Sequence, residues 1–240
     1  MKSIQLSLAT LVLVCSCFVI ARAQSLDEIV QKSVAAMGGA ENLRKIKTIT
    51  NIGSAEAGNG VVSDFKLTAV HMKAMRIEFT YGSMTGYQIV TQTGGWSFMP
   101  FEGQTKAEPL TGDALKEGQS SLDCQGNLVD YKEKETEVVY LGKDEVEGTT
   151  CHKLKLTKKT GGVETVYLDA KTFLAVRTIT KITIDGKETE DVWNYGEYIT
   201  LPEGIVEPKS MYRGNGGLKM TFTKFEVNKT VDESIFVPTN

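Results

Sequence analysis

The stretch IVTQTGGWSFMPF, residues 89–101, decides the fold. It reads as two short strand segments joined at Gly94-Gly95, with Trp96, Phe98, Met99 and Phe101 crowded after the turn. An apolar cluster this dense beside a proline either packs into a sheet core or lines a space for something apolar. Alternation puts Trp96 and Phe98 on one face, and Pro100 interrupts the pattern before Phe101.

Outward from this stretch the chain keeps a period of two. Upstream, Met75, Ile77 and Phe79 alternate with Arg76, Glu78 and Thr80, giving one dry face and one wet face. Residues 49–53 and 61–69 read as strands around the turn Gly58-Asn59-Gly60. Downstream, strands are expected over 136–142, 149–158, 163–169, 174–184, 189–200, 207–212 and 218–227. Turns at Lys143-Asp144, Gly161-Gly162, Asp185-Gly186 and Gly214-Asn215-Gly216-Gly217 separate several of them. Residues 109–131 break the pattern, with a short helix over 113–117 capped by Asp113. This insertion is expected to lie across one face. The fold class is therefore mainly β (α+β), with about ten or eleven antiparallel strands. A sheet of that length curls on itself. An N-terminal and a mid-chain helix are available to cover its apolar concave face.

The N-terminal helix opens with a capping box, Ser25-Leu26-Asp27-Glu28. Leu26, Ile29, Val30, Val34 and Met37 fall on one side of it, an apolar stripe that needs a partner, as a lid would. Gly38-Gly39 ends the helix and a second turn follows over 41–46. Ahead of it, Lys2, an apolar run over 6–20 and Ala21-Arg22-Ala23 make a signal peptide over residues 1–23, with Gln24 the first mature residue. The competing reading takes Val14-Cys15-Ser16-Cys17 as a lipobox and Cys17 as a lipidated anchor. Residues 24–240 show no linker, charge block or repeat and read as one domain.

Loss of Lys2 and Arg22 takes Lys+Arg from 27 to 25 against 30 Asp+Glu, a net charge of about −5. That surface has no basic stripe and gives nucleic acid no footprint. Of four cysteines, Cys124 and Cys151 survive cleavage. In an exported protein an even pair suggests a disulfide, with two separate buried thiols as the alternative. Cys124, Cys151 and His152 lack metal-ligand spacing, so no metal site is expected. No nucleophile elbow, phosphate loop or dinucleotide fingerprint appears, and no cofactor or catalytic residue is assigned.

Several segments together resemble the LolA-like family of periplasmic outer-membrane lipoprotein-sorting proteins, in the longer version found in Bacteroidetes. They are Ala36-Met37-Gly38-Gly39-Ala40-Glu41-Asn42-Leu43, Lys73-Ala74-Met75-Arg76-Ile77-Glu78 and Gly95-Trp96-Ser97-Phe98-Met99-Pro100-Phe101. Downstream come Asp130-Tyr131-Lys132-Glu133-Lys134, Gly142-Lys143-Asp144-Glu145-Val146-Glu147-Gly148 and Tyr167-Leu168-Asp169. The resemblance implies an incomplete barrel with helices plugging an apolar cavity, and a periplasmic, non-enzymatic carrier of lipid or lipoprotein acyl chains. Its implied partners are those chains and the lipoprotein-export components of the envelope, and the chain is expected to act as a monomer. Met75, Ile77, Phe79, Ile89, Trp96, Phe98 and Phe101 are the cavity candidates, around a space of several hundred Å³. Two positions depart from the family. His71-Met72 stands where carriers often have a basic Arg-Pro latch for the lid, and Thr93-Gly94-Gly95 replaces an Asp-Gly turn. A scaffold that keeps the fold and fills the cavity is the alternative.

Overall fold

A computed structural model describes residues 24–239 except Asp185 and Asn215. The expected signal peptide, with Cys15 and Cys17, lies outside the described residues, as do Asp185 and Asn215 of two expected turns. Helices α1 (Leu26–Ala36) and α2 (Ala40–Arg44) lead into β1 (Thr48–Ala57), β2 (Val62–Val70), β3 (Ala74–Tyr81), β4 (Met84–Thr91) and β5 (Gly95–Phe98). A 3-10 turn at Pro100–Glu102, the two-residue β6 (Glu108–Pro109) and α3 (Gly112–Ser120) follow. Then come β7 (Glu137–Val146), β8 (Thr149–Thr157), β9 (Val163–Asp169), β10 (Ala175–Ile184) and β11 (Lys187–Tyr195). The last strands are β12 (Tyr198–Thr200), β13 (Val206–Pro208), β14 (Ser210–Arg213) and β15 (Leu218–Val227), before a 3-10 turn at Glu233–Phe236.

Among the described residues, thirteen strands form one antiparallel sheet in the order β6-β5-β4-β3-β2-β1-β15-β14-β11-β10-β9-β8-β7. The chain lays down one wing, β1–β6, then the other, β7–β11, and β14–β15 close the seam between them. The sheet is curved and does not close, leaving β6 and β7 as its edges. β12 and β13 stand outside it and pair with each other as a separate two-stranded sheet, for a local reason. The run 189–200 breaks at Gly196 into β11 and β12, where an added Cβ would lie 2.1 Å from Ser210 Oγ. The run 207–212 divides in the same way between β13 and β14. A register shift at Ile52/Gly53 against β15 marks a bulge, where a Cβ on Gly53 would stand 1.9 Å from the Thr221 carbonyl oxygen. Only glycine allows that approach, and bulges of this kind bend and twist the strand that carries them.

Helix α1 forms as its cap and stripe require. Ser25 Oγ accepts the Glu28 N–H at 3.2 Å. Ile29 and Val30 are buried, and Leu26 and Val34 pack beside them on Val138, Leu154, Leu156, Val166 and Leu168 of the second wing. Each such side chain contributes about 1.5–3 kcal/mol when fully buried. Eleven residues alone would not hold a helix in water, so this packing holds it. Gly38 and Gly39, at φ 112° and 85°, turn the chain out of α1. A Cβ on Gly38 would sit 2.2 Å from the Gly204 carbonyl oxygen, so the helix ends hard against the β12–β13 turn. There Val206 N–H donates to the Met37 carbonyl at 3.0 Å.

Helix α3 lies across the concave side, as expected of the insertion. It starts at Gly112, with Thr111 rather than Asp113 at the N-cap position. It packs on β4 and also on β10, strands that six others separate in the sheet. The helix therefore bridges the mouth of the curve. None of its residues is buried.

An apolar trough under three helices

Strand register sorts the side chains between the two faces. On β3, Met75, Ile77 and Phe79 pair with Ala69, Leu67 and Phe65 of β2. This row faces inward and continues through Ala55, Phe222, Met220 and Met211. The Phe65 ring lies 5.5 Å from Phe79 and 5.9 Å from Phe222. Met75 and Val90 are sealed beneath Leu122 and neighbours from the insertion. Towards the middle of the trough Leu67, Ile77, Phe79, Trp193, Met211 and Phe225 are only half-buried. Large apolar side chains thus keep accessible surface on the concave side of a sheet that helices roof over.

The other candidates do not share that face. Ile89 pairs with Arg76 and with Trp96, and Tyr87 pairs with Phe98, so Ile89, Trp96 and Phe98 point outward together. They pack with Ala74 and Tyr87 beneath Val231, Ile235 and Phe236 of the C-terminal segment. Arg76 ties that segment down by donating to the Ile235 carbonyl at 2.9 Å, with its guanidinium 4.1 Å from the Tyr87 ring centre. The Tyr87 hydroxyl also bonds the backbone of Thr239. These three side chains are therefore core of the convex side. Strand β4 is covered on both faces, which is why Tyr87, Ile89 and Val90 read as one apolar run with no face preference. Past the Pro100 break the chain crosses back over the edge. Phe101 meets Tyr81 edge-on at 4.7 Å and lies over Gly86, on the side of Phe79.

The hollows beside the helices lie elsewhere than expected. A cavity of about 150 Å³ sits in the second wing between α1, α2 and the 125–129 loop on one side and β8–β10 on the other. Val34 and Met37 of the α1 stripe line it, with Leu156, Val166, Leu168 and Glu164. A solvent-open groove of about 370 Å³ runs along α1 against the 128–133 turn. None of Met75, Ile77, Phe79, Ile89, Trp96, Phe98 and Phe101 lines either space.

Four polar residues inside the concave side went unnoticed in the sequence. Glu164 accepts from Asn127 Nδ2 at 2.6 Å and has Lys158 Nζ at 3.8 Å, and burial pushes its carboxyl up. The Tyr195 hydroxyl bonds Thr178 Oγ1 at 2.9 Å, and burial pushes it up to about 12. The Tyr198 hydroxyl donates to the Ala175 carbonyl at 2.8 Å and is also raised by burial. Glu207 sits opposite Ile199 on the side of Ile205, and burial alone raises its carboxyl to about 7. Two of these were legible. Glu164 alternates with Val166 and Leu168, and Glu207 with Ile205, so each is an acid at an inward position of an apolar row.

The two cysteines are free thiols. Cys124 packs near Leu43, Ile46 and Ile205 on the concave side. Cys151 packs with Val146 and Tyr167 on the convex side, opposite in alternation to Leu154. The sheet stands between them, and the expected disulfide is not formed. Among the described residues no three His, Cys, Asp or Glu side chains are grouped to hold a metal ion.

The roof is fastened at named points. His71 Nδ1 accepts the Cys124 N–H at 3.2 Å, and Met72 N–H donates to the Leu122 carbonyl at 2.8 Å. The corner that lacks the Arg-Pro latch thus holds the insertion by other bonds. Burial lowers the His71 pKa, which favours the neutral ring this bond requires. On α3, Gln119 Nε2 donates to the carbonyls of Thr91 at 3.1 Å and Gln92 at 2.9 Å. Lys158 Nζ donates to the Ser120 carbonyl at 3.1 Å from the opposite wing. Gly118 lets the helix sit on Val90, whose Cγ2 would be 2.7 Å from an added Cβ. The span from wing to wing is held by these few polar bonds and the half-buried Leu115.

The sequence matches no family model, and no curated protein matches it. Solved structures do resemble it. A DUF1329 family protein from Desulfovibrio piger superposes with a TM-score of 0.58 at 13% identity, over 90% of this chain and 98% of that one. A LolA superfamily protein from Nitrosomonas europaea gives 0.56 at 9% identity, over 90% and 98%. A Vibrio parahaemolyticus domain named for outer-membrane lipoprotein sorting gives 0.54 at 12% identity, over 87% and 94%. At such identities the likeness speaks to the fold. The open thirteen-stranded sheet with helices over its concave side is a LolA-like fold.

Proposed function

We propose that the protein is a non-enzymatic binder and carrier of lipid or lipoprotein acyl chains in the periplasm, taking part in outer-membrane lipoprotein sorting. The observation that carries this reading is the trough. Leu67, Ile77, Phe79, Met211 and Phe225 keep accessible surface on the concave side, under a helix that buries none of its own residues. Exposed acyl chains cost about 0.8 kcal/mol per CH₂ in water, so a carrier needs a dry surface and a roof that opens. The trough supplies the first and the sparsely fastened α3 the second. The export signal expected over residues 1–23 and the fold shared with a lipoprotein-sorting domain agree with it. Among the described residues no helix is long and apolar enough to cross a membrane.

A scaffold reading has one observation in its favour. The apolar cavity of about 150 Å³ beside α1 is smaller than the ~300–1,000 Å³ of usual ligand pockets. Native mass spectrometry of protein purified from its own envelope, repeated after denaturation, separates the two. A carrier is expected to show an added lipid mass that disappears on denaturation. A bare mass, with none gained after incubation with lipid vesicles, would favour the scaffold.

A further inference from the structure

The cavity between α1, α2 and β8–β10 is lined mostly by apolar side chains, and one carboxylate stands among them. Glu164 lies on β9 in the inward row of Val166 and Leu168, and all three line the space. Its side chain is only 13% exposed, and one of its two oxygens takes both partners. Oε2 accepts from Asn127 Nδ2 at 2.6 Å and has Lys158 Nζ at 3.8 Å. Among the described residues Oε1 has no hydrogen bond, yet it is not sealed in protein. Two other polar side chains of the wall are engaged elsewhere. Gln125 donates to the Arg44 and Ile46 carbonyls, and Thr178 bonds the Tyr195 hydroxyl. Ser33 of α1 adds a hydroxyl to the same wall.

A space of about 150 Å³ holds a group of roughly six carbons, the size of an engineered cavity that takes up benzene. Apolar walls with a single open polar atom orient what they hold. A methyl group pressed against Oε1 strips it of water and returns nothing, whereas a hydrogen-bond donor replaces what was lost. Lys158 already offsets the Glu164 charge, so a neutral donor fits better than a cation. A carboxylate or ester carbonyl has no proton to give, and a hydroxyl has one. We propose that this cavity receives the far end of an acyl chain that carries a hydroxyl there, donated to Glu164 Oε1. Chains that end in a methyl group, or carry the hydroxyl at mid-chain, are disfavoured. This rests on the acyl-chain reading above and names the kind of chain for it. The groove along α1 shares Val34, Leu128 and Val129 with the cavity as walls, which puts solvent-open space beside it for the rest of the chain.

The test uses the full mature chain and the neutral fluorescent probe N-phenyl-1-naphthylamine at pH 8. Displacement is measured with methyl dodecanoate, methyl 12-hydroxydodecanoate and methyl 6-hydroxydodecanoate. The two hydroxy esters are isomers of equal apolar content, so a difference between them reports where the hydroxyl sits. The expected result is at least tenfold tighter binding of the 12-hydroxy ester than of the 6-hydroxy ester. Glu164→Met should bring the isomers within twofold of each other and bind methyl dodecanoate at least as tightly as wild type. Ala175→Leu, which fills the cavity from β10, should abolish the preference as well. Equal binding of the isomers by the wild type, or a preference that survives in Glu164→Met, overturns the proposal and leaves acyl-chain binding standing. Should Glu164→Met fail to fold, the isomer pair on wild type and Ala175→Leu decides. If none of the three esters displaces the probe or binds in native mass spectrometry, the acyl-chain reading fails and this inference with it.

Discussion

Glu207 makes the fold sensitive to pH. Its carboxyl is raised from 4.5 to about 7 by burial. An acid with a higher pKa in the folded state contributes its full stability below the unfolded value and loses it as pH rises through the folded value. That window runs from about pH 4.5 to pH 7. The full span corresponds to about 3 kcal/mol, reduced to about 2 kcal/mol by the surface the group retains. Glu207→Gln should therefore be more stable than wild type by about 2 kcal/mol at pH 8 and equal to it at pH 4.5, as urea unfolding at the two pH values would show. A difference independent of pH would mean that the carboxyl ionises normally. At this scale the sequence was only partly legible. Met75, Ile77 and Phe79 were separable from Arg76 and Glu78 because one side of β3 is polar. Ile89 and Val90 were not, because the C-terminal segment covers the outside of β4 while the insertion covers the inside.

The decisive element is α3. It has no buried residue, yet it joins the two wings through Gln119, Lys158 and the Val90 contact. Elements with few buried contacts lie at the low-stability end of a fold and open first. If ligand passes under α3, locking it should stop exchange. A Cβ placed on Gly118 would be 3.5 Å from Val90 Cβ, within disulfide geometry. The double variant Gly118→Cys with Val90→Cys, oxidised, should release a bound fluorescent acyl probe at least tenfold more slowly than its reduced form. The native thiols should not interfere: Cys151 is fully buried, and burial pushes Cys124 up to about 12. Equal release in both forms would move the portal to α1. The helices differ in how readable they were. The cap and stripe of α1 are local, so sequence placed both. The length of α3 is set by where the wings stand, which no local pattern encodes.

At the scale of the whole molecule, alternation and turn chemistry carried the curved antiparallel sheet, because those signals are local and repeat along the chain. The seam β1–β15 was not readable, since it joins segments from the two ends of the chain. Nor was the position of the apolar cavity in the second wing under α1. The central claim is that this sheet holds an acyl chain. Its most direct test is displacement of N-phenyl-1-naphthylamine by neutral monoacylglycerols of eight, ten, twelve and fourteen carbons. Burial at about 0.8 kcal/mol per CH₂ predicts that affinity tightens about fifteenfold for each added pair of carbons until the trough is filled. Displacement independent of chain length, or no probe uptake by the native protein, would contradict the claim and leave a LolA-like scaffold.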